Sequence, residues 1–313
     1  MDVAVVVPSW NGRRWLPGLF ASLRAHTVAP AEVVVVDNGS TDGTLDWLAA
    51  EAPEARVVEL GRNTGFAVAA NRGIHDAQAE AVALVNTDVE LEPRWIELMA
   101  GALDGHAAVA CKMVRLGDPG VIDDAGDILR RDGVCEQRGR GHADDGRWDA
   151  PGEVFSACAG AALYRRDAVL AAGGFDERFF SYLEDVDLGL RLRLAGETCW
   201  YEPRAVARHA GGGSSDALDR PVPALVERNT LLIAARTFPW SWAPSVLYRQ
   251  AAWAWHALRR GEGLAFARGA ASALPLLPAM WRERGPTAVP IQEVVPKRPF
   301  RGPEAGGHPR GSH

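Results

Sequence analysis

Four short runs of apolar, mostly β-branched residues, at 3–7, 33–36, 57–60 and 81–85, constrain this chain more than any other feature. Each is the length of a buried strand, and each is followed by a segment with helical periodicity, at 13–25, 42–50, 65–77 and 93–103. Strand and helix in strict alternation predict a parallel sheet covered by helices on both faces. Ser40 and Thr41 stand where they can cap the second helix. After Val114 the alternation breaks: residues 117–152 are dense in Gly and Asp and read as loops and short antiparallel strands. One further helical stretch runs from Ser181 through Leu183, Val186, Leu190 and Leu194 to a stop at Gly196.

Ligands of an open α/β sheet bind beyond the carboxyl ends of its strands. Those positions here are polar: Pro8-Ser9-Trp10-Asn11, Asp37-Asn38-Gly39-Ser40, Gly61-Arg62-Asn63 and Asn86-Thr87-Asp88. Neither a GxGxxG nor a P-loop spacing follows the first strand, which argues against a dinucleotide oxidoreductase and a P-loop NTPase. The four cysteines, Cys111, Cys135, Cys158 and Cys199, form no CxxC pair, so neither a zinc site nor a disulfide framework is expected and a reducing, cytoplasmic compartment is the simplest reading. No signal peptide or spanning helix is expected.

The ordered set VVVPSWNG, VVVVDNGSTDGT, GRNTGFAVAANRG, LVNTDVEL, GGFDERFFSYLEDVDLGLRLRLAG and ARHAGGGSS resembles the inverting family-two glycosyltransferases of GT-A fold, and bacterial rhamnosyltransferases most of all. The resemblance covers about residues 3–236. It implies an α/β GT-A fold, Rossmann-like, with a mostly parallel sheet flanked by helices and a C-terminal helical extension. It divides the chain into a catalytic domain at 1–235, with a nucleotide-sugar half at about 1–116 and an acceptor half at about 117–235. A basic, Trp-rich helical extension at 236–301 and a disordered tail at 302–313 follow.

The resemblance also assigns residues. Pro8, Ser9, Asn11, Asp37, Arg62, Asn63, Gly65, Asn71, Asn86 and Asp88 are expected on the donor. Asp37 suits a pyrimidine N–H, with Gly39 letting the backbone approach the ribose; ordinary turn capping is the competing role for Asp37. Arg62 suits a diphosphate. Asn86-Thr87-Asp88 occupies the place of a DxD motif but begins with Asn, so Asp88 is the expected ligand of a divalent ion, Mg²⁺ or Mn²⁺, with His209 completing its shell. Strand alternation turns Glu90 away. Asp185 is the expected base, with Glu184 orienting the acceptor, while Gly160 and Ala161 form a small-residue floor beneath it. Asp187 reads as structural, and residues 211–215 as a loop that closes over donor.

The implied activity is transfer of L-rhamnose from dTDP-rhamnose to a glycan or lipid-linked acceptor in cell-envelope polysaccharide synthesis. A UDP- or GDP-hexose transferase and a silent nucleotide-sugar-binding module are the alternatives. No nucleic acid is among the expected partners. Net charge is −6, but residues 1–235 carry 23 basic and 36 acidic groups and residues 236–301 carry 10 and 3. That basic segment holds Trp240, Trp242, Trp253, Trp255 and Trp281, a combination suited to an anionic membrane surface at the inner face of the plasma membrane. Packing of the same tryptophans onto the catalytic domain, or onto a second subunit in a homodimer, is the other reading.

Overall fold

The hydrophobic pattern yields four βα repeats. They comprise β1 (Val3–Ser9), α1 (Leu16–Arg24), β2 (Glu32–Asp37), α2 (Thr44–Glu51), β3 (Ala55–Glu59), α3 (Phe66–Asp76), β4 (Ala81–Val85), the short β5 (Val89–Leu91) and α4 (Trp95–Ala102). The computed structural model describes residues 1–211 and 222–298; most of the expected closing loop, and the tail at 302–313, lie outside the described residues. Strands β3-β2-β1-β4 are parallel neighbours. Side chains alternate across each strand, so Ala4, Val6, Val34, Val36 and Leu84 line one core with Ala70 and Ile74. Val5, Val7, Val35 and Val85 line the opposite core with Leu16, Phe20 and Trp95. Continuous apolar runs are what a sheet covered on both faces requires.

The helices begin two or three residues later than periodicity predicts at three of the four sites, because the intervening residues build loops. Ser40 and Thr41 do not cap α2. The Ser40 hydroxyl accepts from Asn11 N at 2.9 Å and Thr41 N donates to Asn11 Oδ1 at 2.8 Å. Asp42 serves α2 instead, accepting from Thr44 N at 3.1 Å and Thr44 Oγ1 at 2.6 Å.

Beyond α4 the chain forms β6 (Ala108–Arg115), β7 (Asp118–Asp124), β8 (Asp127–Leu129), β9 (Cys135–Gln137), β10 (Gly152–Val154), β11 (Ala161–Arg165), α5 (Arg166–Ala171), α6 (Glu184–Leu194) and β12 (Cys199–His209). β11 inserts antiparallel between β4 and β6, and the sheet continues through β12 to β10. β8 and β9 form a separate two-stranded ladder. The Gly- and Asp-rich stretch is therefore short strands and loops, as its composition implies. β12 runs parallel to β6 and pairs antiparallel with β5, setting His209 opposite Val89. That register brings the end of β12 beside the turn after β4.

The last helices are α7 (Val222–Thr237), α8 (Ala243–Arg259), α9 (Gly263–Ala273), α10 (Leu277–Arg282) and α11 (Ile291–Val294). α7 runs through the boundary expected at residue 235, so the extension begins inside a helix and not at a linker. Leu232 and Ile233 of α7 pack with Phe179, Val186, Leu190, Ala273 and Met280 in a third core. Trp242 is buried there, its ring 5.0 Å from Phe238 and 4.7 Å beneath the Arg131 guanidinium. Trp240, Trp255 and Trp281 are exposed. No helix among the described residues is long and apolar enough to cross a membrane.

Candidate active site

The loops after β1, β2 and β3 are stitched into one wall. Asn38, buried behind Asp37, donates through Nδ2 to Asn63 Oδ1 at 3.2 Å and to Gly65 O at 3.0 Å. Its Oδ1 accepts from Thr64 N and Thr64 Oγ1, both at 2.8 Å. Asn63 Oδ1 also accepts from Gly65 N at 3.0 Å, so its acceptor end shapes the loop. Asn11, at φ 51°, ties the first loop to the second. Gly39 has φ 78°, and a Cβ there would lie 2.5 Å from the Arg62 backbone. The close approach that this glycine permits in the structure is to the neighbouring loop.

Asp37 is 1% exposed. Its Oδ2 accepts from Gly39 N at 3.1 Å and Ser40 N at 3.0 Å, which is the turn-capping role. Its Oδ1 is buried without a partner, as is the hydroxyl of Ser9 on the adjoining strand, which follows half-buried Pro8. Arg62 is exposed and forms no ion pair among the described residues. Asn71 lies apart from these groups: its Nδ2 donates to Phe175 O and its Oδ1 accepts from Phe175 N, both at 2.8 Å. Both ends of its amide bind α3 to the loop before α6, which gives Asn71 a scaffolding task.

On the other side of the site, Asn86 N donates to Gly160 O at 2.8 Å, and the Asn86 amide lies against Gly160 at the start of β11, next to Ala161. Glu90 turns away and packs against Gly18 of α1, as strand alternation predicts. Asp88 is buried, with Oδ2 3.4 Å from His209 Nε2, and Ala210 N donates to its carbonyl at 3.0 Å. His209 Nδ1 meets Asp123 Oδ2 at 2.7 Å. Burial alone would lower the His209 pKa, but hydrogen bonds to Asp123 and Asp88 and their charges outweigh it and raise it to about 9. Such an environment attracts cations. Asp88 and His209 Nε2 offer one oxygen and one nitrogen on a common side, a donor set that fits a divalent ion which also takes phosphate oxygens. Among the described residues no group of three or more His, Cys, Asp or Glu forms a closed cage, so the remaining ligands would come from elsewhere.

Asp185 sits at the first turn of α6. Its Oδ2 accepts from Ala159 N at 3.0 Å and its Oδ1 from Val186 N at 2.8 Å. The Ala159 bond carries it to the same turn that meets Asn86, which joins the carboxylate to the Asp88 side of the site. Burial raises its pKa against these two N–H groups. Glu184 is 5% exposed with Oε2 unpartnered, and burial followed by the Asp185 charge raises it well above the carboxylate range. Asp187 is structural: it takes Arg191 at 2.8 Å and Arg236 at 2.8 Å.

Three acids in IDDAGD, absent from the expected set, belong to this neighbourhood. Asp123 orients His209. Asp124 accepts from Gly126 N at 2.8 Å with its other oxygen unpartnered, and burial with the charges of Asp123 and Asp185 pushes it up to about 7. Asp127 accepts from Ser156 Oγ at 2.7 Å and is raised by burial, then by Asp124 and Asp185. Their signal in the sequence is three carboxylates within five residues of a loop-rich stretch. The segment before α6 is strained, with Phe180, Tyr182 and Leu183 at φ 64°, 70° and 63°. Asn229 of α7, 0% exposed, holds it by donating through Nδ2 to Phe179 O at 3.1 Å, Ser181 O at 3.0 Å and Tyr182 O at 2.6 Å. A cleft of about 1090 Å³ behind this segment, lined by Asp176, Arg178, Arg236 and Glu283, includes Asn71 alone of the expected site residues, and is not the site.

The family model for glycosyl transferase family 2 matches residues 4–171. The N-acetylglucosaminyl-diphospho-decaprenol L-rhamnosyltransferase of Mycobacterium tuberculosis is 31% identical over 239 residues, covering 66% of this chain and 75% of that protein. Among solved structures, GalNAc-T7 with UDP, GalNAc and Mn²⁺ has a TM-score of 0.61 at 14% identity, covering 76% of this chain and 48% of that one. The mannosyltransferase PcManGT from Pyrobaculum calidifontis, in complex with GDP-Man and Mn²⁺, has a TM-score of 0.53 at 20% identity, over 89% of this chain and 75% of that one.

Proposed function

Because this chain belongs to glycosyl transferase family 2 and has the GT-A fold, we propose that it moves L-rhamnose from dTDP-rhamnose to a lipid-linked saccharide diphosphate with inversion at the anomeric carbon. That the chain is a glycosyltransferase follows from the family; donor, acceptor and residue roles are the proposal. The observation that carries it is the 31% identity over 239 residues to an enzyme whose name states both rhamnosyl transfer and a decaprenol-linked acceptor. Four unpaired cysteines support a reducing, cytoplasmic site of action.

In this reading Asp37 Oδ1 and the Ser9 hydroxyl receive the nucleoside, with Pro8, Asn11 and the Asn63–Gly65 loop shaping its wall, and Arg62 meets the diphosphate. Asp88 and His209 Nε2 would hold Mg²⁺ or Mn²⁺, which supplies positive charge against the departing diphosphate. Asn86 contacts the sugar. Gly160 and Ala161 leave room for the acceptor, and Glu184, its pKa raised by burial and by the Asp185 charge, orients its hydroxyl. Asp185 takes the hydroxyl proton as the acceptor oxygen bonds to the anomeric carbon, while the bond from that carbon to the phosphate oxygen breaks on the opposite face. The two backbone N–H groups on Asp185 hold its lone pairs in place, and its burial makes it a stronger base.

The test is release of nucleoside diphosphate from dTDP-rhamnose, UDP-hexoses and GDP-hexoses, with and without chelator. Turnover of dTDP-rhamnose alone, abolished by chelation and restored by Mg²⁺ or Mn²⁺, is expected. Preference for a UDP or GDP donor overturns the donor assignment, and full activity in excess chelator removes Asp88 and His209 from their roles.

A further inference from the structure

Of the eleven large hydrophobic side chains exposed among the described residues, eight fall between positions 240 and 281: Trp240, Leu247, Tyr248, Trp255, Leu258, Leu264, Leu274 and Trp281. The other three, Met1, Val28 and Leu170, are scattered. Single exposed apolar residues are ordinary on a protein surface, but a concentration of this kind is not.

The register of α8 sharpens the point. At about 100° per residue, Pro244, Leu247, Tyr248, Ala251, Trp255 and Leu258 fall within an arc of about 100°. All six are exposed, with Tyr248 at 75% and Trp255 at 65%. Val246 and Ala257, on the far side of the helix, are the positions that pack inward. Half-buried Trp253 shares that inward side, while Leu247, Tyr248, Trp255 and Leu258 turn to solvent, an apolar face that an ordinary surface helix does not expose. α9 repeats the pattern through Leu264, Ala267 and Ala271, with exposed Leu274 just beyond its end.

The charge around this face is predominantly positive. Residues 243–282 hold five arginines and a single acid, Glu262. Arg249 is engaged by Asp132 at 3.0 Å and Arg260 lies 3.5 Å from Glu262. Arg259, Arg268 and Arg282 are exposed and have no carboxylate partner among the described residues. Exposed Trp240 and Trp281 meet edge to face at 4.9 Å, and Arg284 lies 6.0 and 5.7 Å from their rings. Residues 1–235, in contrast, carry a net charge of −13 against +7 for residues 236–301.

We propose that the outward face of α8 and α9, with the Trp240–Trp281 pair, seats this protein on an anionic lipid bilayer, its apolar stripe entering the headgroup boundary and its unpaired arginines meeting lipid phosphates. Aromatic rings and arginines together suit that boundary, where one end of the side chain is apolar and the other wet. The acidic catalytic domain is repelled by the same surface, so the charge asymmetry orients the molecule as well as attracting it. No described helix can span the bilayer, and the seat is therefore on the surface. The inference stands on exposure and charge, independently of the donor and acceptor proposed above.

Cosedimentation of the full chain with phosphatidylglycerol/phosphatidylcholine vesicles, and with phosphatidylcholine alone, tests it. Pelleting with the anionic vesicles, weakening as salt rises, is expected. Trp255→Ser with Leu258→Ser should lower the partition at least about tenfold, and Arg259→Ser with Arg268→Ser by roughly fivefold per arginine. Both pairs are exposed, so the melting temperature and nucleoside diphosphate release from free donor should stay at wild-type levels, and these readouts separate lost binding from lost folding. Failure of the full chain to pellet with anionic vesicles at low salt overturns the proposal, as does undiminished binding by the Trp255/Leu258 variant. A lipid-free dimer in sedimentation velocity that this variant abolishes would assign the face to a second copy instead.

Discussion

At the residue scale the site is defined by what each side chain can no longer do elsewhere. Asp185 has both oxygens accepting from backbone N–H groups at 3.0 and 2.8 Å; Asp185→Asn keeps one of these bonds and sets an NH2 against the other donor, so some loss of stability is expected, with donor affinity kept and turnover lowered by about two to four decades. Near-normal turnover with the true acceptor would sink the assignment. Because burial raises the Asp185 pKa, the acid limb of kcat/KM should lie above the ordinary carboxylate value of about 4; a limb at or below it would mean that another group accepts the proton. Asp123 fixes the imidazole of His209 through Nδ1, and in the proposed metal site Asp123→Asn should weaken Mn²⁺ affinity about 10- to 100-fold, measured by titration calorimetry without substrate. Unchanged affinity would leave Asp123 a bystander. The strand-end positions were legible as polar residues where an open sheet binds ligands, and Glu90 was correctly turned away. Asp123 was not legible, because only the β5–β12 register brings its partner to Asp88. The scaffolding bonds of Asn71 were not legible, because its motif says nothing of the backbone of Phe175, 104 residues away.

At the element scale, the segment before α6 holds three residues at positive φ and depends on α7 for it. Asn229→Ala leaves the carbonyls of Phe179, Ser181 and Tyr182 without their shared donor, so a loss of about 1–3 kcal/mol and a lower melting temperature are expected. Turnover should fall more than donor affinity, since the loosened segment leads into Glu184 and Asp185. A variant that melts and turns over like wild type would show that the strained segment holds itself. The four βα units were readable because apolar runs of strand length alternated with helical periodicity. Helix starts were not, since Asn11 bonds Ser40 and Thr41, and Arg13 N donates to Asp42, across loops about 30 residues apart. The division at residue 235 also failed to anticipate α7, whose buried Arg228 and Asn229 look like surface residues in sequence but face the strained segment before α6.

At the scale of the whole molecule, a charged seam joins the C-terminal helices to α6 and the turn that precedes it. Arg236 bonds Asp176, Glu283 at 2.9 Å and Asp187 at 2.8 Å, and Arg178 bonds Glu283 at 2.7 Å. Burial alone would raise Asp176, but Arg178 and Arg236 overcome it and hold the carboxyl at about 2. A depressed carboxyl stabilises the folded state above its unfolded pKa, here about 4, and that stability, on the order of 2 kcal/mol, is lost as pH falls from about 4 to about 2. Chemical denaturation across that range should show the loss, and Arg236→Met should shrink it; a flat profile in the native protein would mean the seam contributes nothing.

The Asn229 clamp also bears on how this chain can be recombined with its relatives. Loop and clamp are some 47 to 50 residues apart in sequence, so a chimera with its junction between 183 and 229 inherits the loop from one parent and its holder from the other. Such hybrids should lose activity more often than those joined before 178 or after 237, whichever parent supplies the strands, and the unit of exchange in this architecture is therefore the stretch from the GGFDE turn to the end of α7.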